Sequence, residues 1–238
     1  MGKINTIIIN TYFGAGDIFF IQSIANRFVK QGYKVLWPVM NIYAPLAKHF
    51  PNVTMVDKHL VNIDYTRNDV YEFNGCRVIP LRFSDSICKV PYTDCMKSKY
   101  ILMGQEWETW KDDCIIERDW ENEKKLYSEV LGLKEGEKYN LISEQFTTGG
   151  ARNTGIEVPD NGSRNVYMKF IEGYTAIDWL TVMQHDTVIF AISSSCIYLF
   201  ELFEMKAEQI NLFIRRPLEN NHDNYSYLLT KDKYILHP

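Results

Sequence analysis

The chain has no run of about 18 consecutive apolar residues, the length a helix needs to cross a bilayer, so no membrane-spanning helix is expected. It lacks a strong charge of either sign. Against 26 Lys and Arg stand 30 Asp and Glu, a net charge of −4 and a pI near 5.8, which argues against a general nucleic-acid binder with a broad basic face. Cysteine is sparse and unpaired in pattern: Cys76, Cys88, Cys95, Cys114 and Cys196 form no Cys-x-x-Cys. None lies at ligand spacing from His49, His59, His185, His222 or His237, so neither a disulfide framework nor a zinc site is expected. Reduced thiols suit a cytoplasmic location. Two catalytic signatures are also missing. No Gly-x-Ser-x-Gly elbow marks a serine nucleophile. The dinucleotide fingerprint Gly-x-Gly-x-x-Gly fails at its third position, where Gly14 and Gly16 are followed by Phe19.

What is present is ordinary globular material. Apolar residues make up 46% of the 238 positions and charged residues 24%, enough to fill the core of one large domain or two small ones. Aromatics reach 14%, which suits walls for sugars and bases as well as plain core packing. The first residues run directly into a strand-like segment, so no secretory leader is expected, and Met1-Gly2-Lys3-Ile4-Asn5-Thr6 matches the loose myristoylation pattern by chance.

Hydrophobic patterning alternates strand with helix. Residues 3–11 read as a strand buried on both faces, and 18–30 as an amphipathic helix with Phe20, Ile21, Ile24, Ala25 and Phe28 on one side. Gly32 stands where a left-handed residue ends that helix. Strands are expected at 33–39, 53–56 and 77–83, the last at an edge or bulge because of Pro80, with a short helix at 42–50. Residues 84–120 show no clear period. A helix at 121–131 precedes a polar linker at 134–138, after which the pattern restarts. Strands are expected at 139–143, 165–170, 187–192 and 209–214, helices at 176–184 and 196–205, and a polar tail from residue 215. This restart predicts two Rossmann-like α/β domains with parallel sheets, at 1–130 and 131–238, facing across a cleft.

Four constellations lie at turns that end strands, where open α/β folds bind ligands. The first is Gly14-Ala15-Gly16-Asp17, in which the glycines allow close backbone approach. Asp17 is either a catalytic carboxylate or a helix cap. Ser193-Ser194-Ser195 precedes a helix and offers hydroxyls and amides to a phosphate, or simply caps. Thr147, Thr148, Gly149 and Arg152 belong to a loop suited to phosphate oxygens or to solvent. Glu172 and Tyr174 follow another strand and can meet a base or ribose.

The segment 167–203, together with Gly16-Asp17 and its flanking strand and helix, resembles the ADP-heptose lipopolysaccharide heptosyltransferases and their relatives among GT-B glycosyltransferases. The family's Asp-Ser-Gly loop followed by His appears here as Ser193-Ser194-Ser195-Cys196, so the resemblance carries fold and reaction class, not heptose. It implies an inverting glycosyltransferase that uses a nucleoside-diphosphate sugar and a glycan or glycoconjugate acceptor. Asp17 would be the base, and no cofactor or metal is expected. The absence of any Asp-x-Asp agrees with metal independence, leaving amides, a helix dipole and Arg or Lys to meet the diphosphate charge. Two other readings remain open: another Rossmann enzyme, such as a methyltransferase or dehydrogenase, or a non-catalytic carbohydrate-binding module.

Overall fold

The structure is a computed structural model that describes residues 4–11, 14–81, 95–146, 152–153, 155–185, 187–213 and 226–237. It divides into two compact units, Met1–Glu117 and Arg118–Pro238.

In the first unit, β1 (Thr6–Thr11) is followed by α1 (Ala15–Phe20), α2 (Gln22–Lys30), β2 (Lys34–Val39) and β3 (Thr54–Asp57). The hairpin β4 (Tyr71–Phe73) and β5 (Cys76–Leu81) precedes α3 (Cys95–Leu102). The strand order is β3-β2-β1-β5-β4, all parallel except the β4–β5 pair. Ile7, Ile8 and Ile9 of central β1 are buried, as a strand covered on both faces requires. The helix expected at 18–30 starts earlier, at Ala15, and is interrupted at Ile21 (φ −93, ψ 6). Its apolar side is buried as the spacing predicts. It ends in a Schellman arrangement: Gly32 has φ +88, its N–H reaches the Val29 carbonyl, and Tyr33 N–H reaches that of Phe28. The helix expected at 42–50 is a 3₁₀ helix, Asn41–His49, with Pro45 inside it. Pro80 lies beyond the last residue that β4 pairs, so β5 has a single neighbour at that point and the missing N–H is tolerated.

A polar network fastens α2 to residues 105–113. Arg27 donates to Asp113 Oδ2 at 2.7 Å, to Gln105 and to Thr109, and Lys30 pairs with Asp113 Oδ1. Lys30, then Arg27, holds the Asp113 carboxyl below the usual carboxylate range. A depressed folded value gives stability that is present above the unfolded range and lost as pH falls through the folded one. The melting-temperature gap between the wild type and Asp113→Asn is therefore expected to narrow below about pH 4. A gap independent of pH would show that the carboxylate charge does not contribute.

In the second unit, α4 (Trp120–Lys124) runs on as a π-helical turn, Lys125–Val130, and stops at Gly132 (φ +62). Then come β6 (Tyr139–Ser143), the short pair β7 (Gln145–Phe146) and β8 (Arg152–Asn153), and β9 (Arg164–Tyr167). The remaining elements are α5 (Leu180–Gln184), β10 (Thr187–Ile192), α6 (Cys196–Leu202), β11 (Gln209–Phe213) and β12 (Tyr234–His237). The order is β12-β11-β10-β6-β9, parallel throughout. Thus both units are Rossmann-like α/β layers around mainly parallel five-stranded sheets.

One expectation is overturned here: residues after 215 are not only a polar tail, because β12 adds an edge strand beside β11. It is fastened by polar contacts, not by apolar burial. Glu201, buried in α6, accepts from Thr230 Oγ1 at 2.6 Å and Tyr234 Oη at 2.8 Å, and Lys231 caps the Phe200 and Phe203 carbonyls at the end of α6. No helix among the described residues is long and apolar enough to cross a membrane.

Candidate functional site

The carboxyl end of β1 concentrates the chemistry of the first unit. Gly14 is the N-cap of α1, with φ −91, and makes no side-chain cap bond. Asp17 therefore sits in the first turn of α1 and is not its cap; the capping reading fails. Its carboxylate does something else. Oδ1 forms an ion pair with the Lys99 ammonium of α3, and Thr11 Oγ1 lies 3.5 Å from the same oxygen while donating to the Leu81 carbonyl at 3.2 Å. The Lys99 side chain is 1% exposed and that of Asp17 13%. The helix dipole at the amino end of α1 also favours this carboxylate.

Gly14 has an ordinary φ but a close neighbour: a Cβ there would lie 3.1 Å from Asp17 Oδ2, tight enough that the carboxylate would have to give way. Gly16 lies within the first turn of α1. Neither glycine has a positive φ. Phe19, the residue that spoils a dinucleotide fingerprint, is fully buried with its ring 6.3 Å from that of Phe50. Tyr100, next to Lys99, donates to the Phe20 carbonyl at 2.6 Å and packs edge-on against the Phe20 ring. Those contacts fix α3 against α1, and they place Lys99 where the pairing occurs.

In the second unit, Ser193-Ser194-Ser195 forms the turn between β10 and α6. Ser193 and Ser194 are buried, and Ser193 N–H donates to the Phe213 carbonyl at 2.8 Å. Ser195 is the N-cap of α6 without a side-chain cap bond, so simple serine capping does not describe this turn. Cys196 follows, buried. Its Sγ lies 3.5 Å from Ser143 Oγ of β6, and burial pushes its thiol pKa up, an inert environment and not a nucleophile's. Glu144, one residue past β6, is a buried carboxylate that accepts from Ile156 N–H at 3.2 Å.

Glu172 and Tyr174 occupy a turn after β9, where Gly173 has φ +85 and Tyr174 N–H reaches the Ile171 carbonyl. Glu172 is exposed and Tyr174 half-buried. Since β6 separates β9 from β10, this turn and the serine turn end strands that are not neighbours. Thr147, Thr148 and Gly149 lie outside the described residues; Arg152 is described through its backbone pairing with Phe146. A cavity of about 580 Å³ lies elsewhere, at the amino ends of the strands, lined by Gly132, Lys134, Glu135, Gly136, Glu137 and Arg164.

No family model matches the chain, and no curated protein does. Among solved structures it is similar to TibC, a bacterial iron-containing dodecameric glycosyltransferase from enterotoxigenic E. coli H10407, with a TM-score of 0.55 and 11% identity. The match covers all of this chain and 63% of TibC. The chain shares its fold with a glycosyltransferase. That likeness establishes a two-unit, mainly parallel α/β architecture and leaves the chemistry to the site itself. Iron belongs to TibC by its description; among the described residues here, no group of three or more His, Cys, Asp or Glu side chains could hold a metal ion.

Two further residues bear on these turns: Lys99, whose reach the sequence alone leaves open, and Glu144. Lys99 lies 82 positions from Asp17 in a segment without clear period, so no local signal announces it. Glu144 had one available cue, a carboxylate directly after a fully buried strand.

Proposed function

We propose that this chain is a glycosyltransferase that moves a sugar from a nucleoside-diphosphate sugar to a hydroxyl of a glycan or glycoconjugate. The observation that carries the reading is the Asp17 carboxylate at the carboxyl end of central β1, in a fold shared with a glycosyltransferase. Asp17 takes the proton of the acceptor hydroxyl as its oxygen attacks the anomeric carbon. The bond from that carbon to the diphosphate breaks, and the nucleoside diphosphate leaves with the electron pair, giving inversion. The second unit holds the donor, its diphosphate against Ser193 to Ser195 with Thr147, Thr148, Gly149 and Arg152 as further contacts, and Glu172 and Tyr174 toward ribose and base. The reading needs no metal for the chemical step.

A second reading, a carbohydrate-binding module without catalysis, draws on Glu144. A buried carboxylate beside the serine turn is a poor neighbour for a diphosphate. Melting curves in the presence of UDP, GDP, ADP, CDP and dTDP, with a chelator, separate the two. A ligand at about 100 times its Kd adds about 2.7 kcal/mol to the folded state, which raises the melting temperature by about 5 °C or more in a chain of this size. The transferase reading expects that rise for one nucleotide. No rise with any of the five, together with binding of free oligosaccharides, supports the module.

A further inference from the structure

We propose that Lys99 is the positioning residue for Asp17: it holds Oδ1 so that Oδ2 alone is presented to an acceptor hydroxyl. The proposal rests on the reading of Asp17 as the base and adds to it the residue that sets its geometry. Three observations bear on it. The Lys99 ammonium pairs with Oδ1 and also lies 3.5 Å from Met96 Sδ, while its side chain is 1% exposed, so it does not itself meet a substrate. Thr11 Oγ1 approaches the same Oδ1 at 3.5 Å from the end of β1. On the other side, Oδ2 lies against Gly14, where even a methyl group would come within 3.1 Å. Oδ1 is thus held by the Lys99 ammonium with the Thr11 hydroxyl nearby, and Oδ2 lies beside residue 14, which has no side chain.

The chemistry gives this division a purpose. A general base works only within hydrogen-bond reach of its proton, at about 2.6–3.2 Å. A carboxylate free to rotate offers either oxygen in many directions. A buried cation on a helix docked by Tyr100 fixes its plane before substrate arrives, so that orientation is not left to the encounter. Lys99 carries no proton to or from substrate in this scheme.

The test uses the full chain with UDP-glucose, GDP-mannose, ADP-glucose, CDP-glucose and dTDP-glucose as donor probes and a mixture of oligosaccharides as acceptors, reading release of nucleoside diphosphate. On the probe that the wild type turns over, Lys99→Met is expected to lower kcat by about 100-fold, the cost of a misplaced reacting group, with donor KM unchanged. Lys99→Arg restores much of the loss, because a guanidinium can grip the same oxygen. Gly14→Ala lowers kcat in the same way with Lys99 intact, and its φ of −91 accepts alanine without backbone strain. The doubly neutral Asp17→Asn/Lys99→Met protein guards against misfolding and is expected to melt cooperatively. Lys99→Met with wild-type kcat, beside an inactive Asp17→Asn, overturns the positioning role and leaves the base in place. Asp17→Asn with wild-type kcat, or no turnover of any probe by the wild type, overturns the base reading and this proposal with it.

Discussion

Asp17→Asn is expected to lose roughly 10²- to 10⁴-fold in transfer, the usual worth of a general base. Asparagine has nearly the same shape and keeps an oxygen for Lys99 and Thr11, but it cannot take a proton from the acceptor. Donor binding, which the reading assigns to the second unit, should change little, so the loss should fall on kcat and not on KM. The variant also leaves Lys99 buried against a neutral partner, and breaking a buried pair from one side commonly costs about 3–5 kcal/mol. The melting curve of the same sample therefore has to accompany the rate. A folded protein without turnover is the expected result; a folded protein with wild-type turnover removes Asp17 from the mechanism.

Glu123→Ala should strongly destabilise the second unit. The Glu123 side chain is fully buried and takes four hydrogen bonds. Arg118 grips both oxygens, through Nε at 2.8 Å and through a terminal nitrogen. Thr181 donates to the carboxylate from its N–H at 2.9 Å and from Oγ1 at 2.7 Å. Arg118 also donates to Gln184 Oε1 at 2.6 Å and lies over the Trp120 ring, so one pair joins α4, α5 and the start of the unit. Truncation strands the guanidinium and two Thr181 donors, at a cost of about 3–5 kcal/mol. That is a large share of the roughly 5–15 kcal/mol typical of a domain. Urea unfolding should show a midpoint well below the wild type's; a midpoint within error of it would mean the pair contributes nothing net.

The sheets were legible in the sequence because their signal is local. The runs at 139–143 and 187–192 are apolar enough to be strands buried on both faces, and they form β6 and β10 with those bounds. Gly32 announced its own left-handed turn. What was missed depends on contacts distant in sequence or on weak patterns. The hairpin of β4 and β5 is the exception, because its Asn-Gly turn, Asn74 and Gly75, both with positive φ, is a local cue. The strand β12 has Ile235 and Leu236 exposed, so no burial pattern marks it; Glu201 of α6 holds it, and Lys231 just before it reaches the carbonyls at the end of α6. The site divides the same way. Asp17 stands out because a glycine turn and a helix start surround it. Its partner Lys99 is defined only once α3 packs on α1, through Tyr100 and the Phe20 carbonyl.

The most direct test of the transferase reading is a turnover assay on the full chain in chelator, with the same five nucleoside-diphosphate sugars and a mixture of oligosaccharide acceptors. Nucleoside diphosphate release and the mass of the acceptor are followed together. The account predicts that one donor gives nucleoside diphosphate and an acceptor heavier by one sugar residue, and that Asp17→Asn, still folded, gives neither. Acceptor binding without release of nucleoside diphosphate from any donor would contradict it.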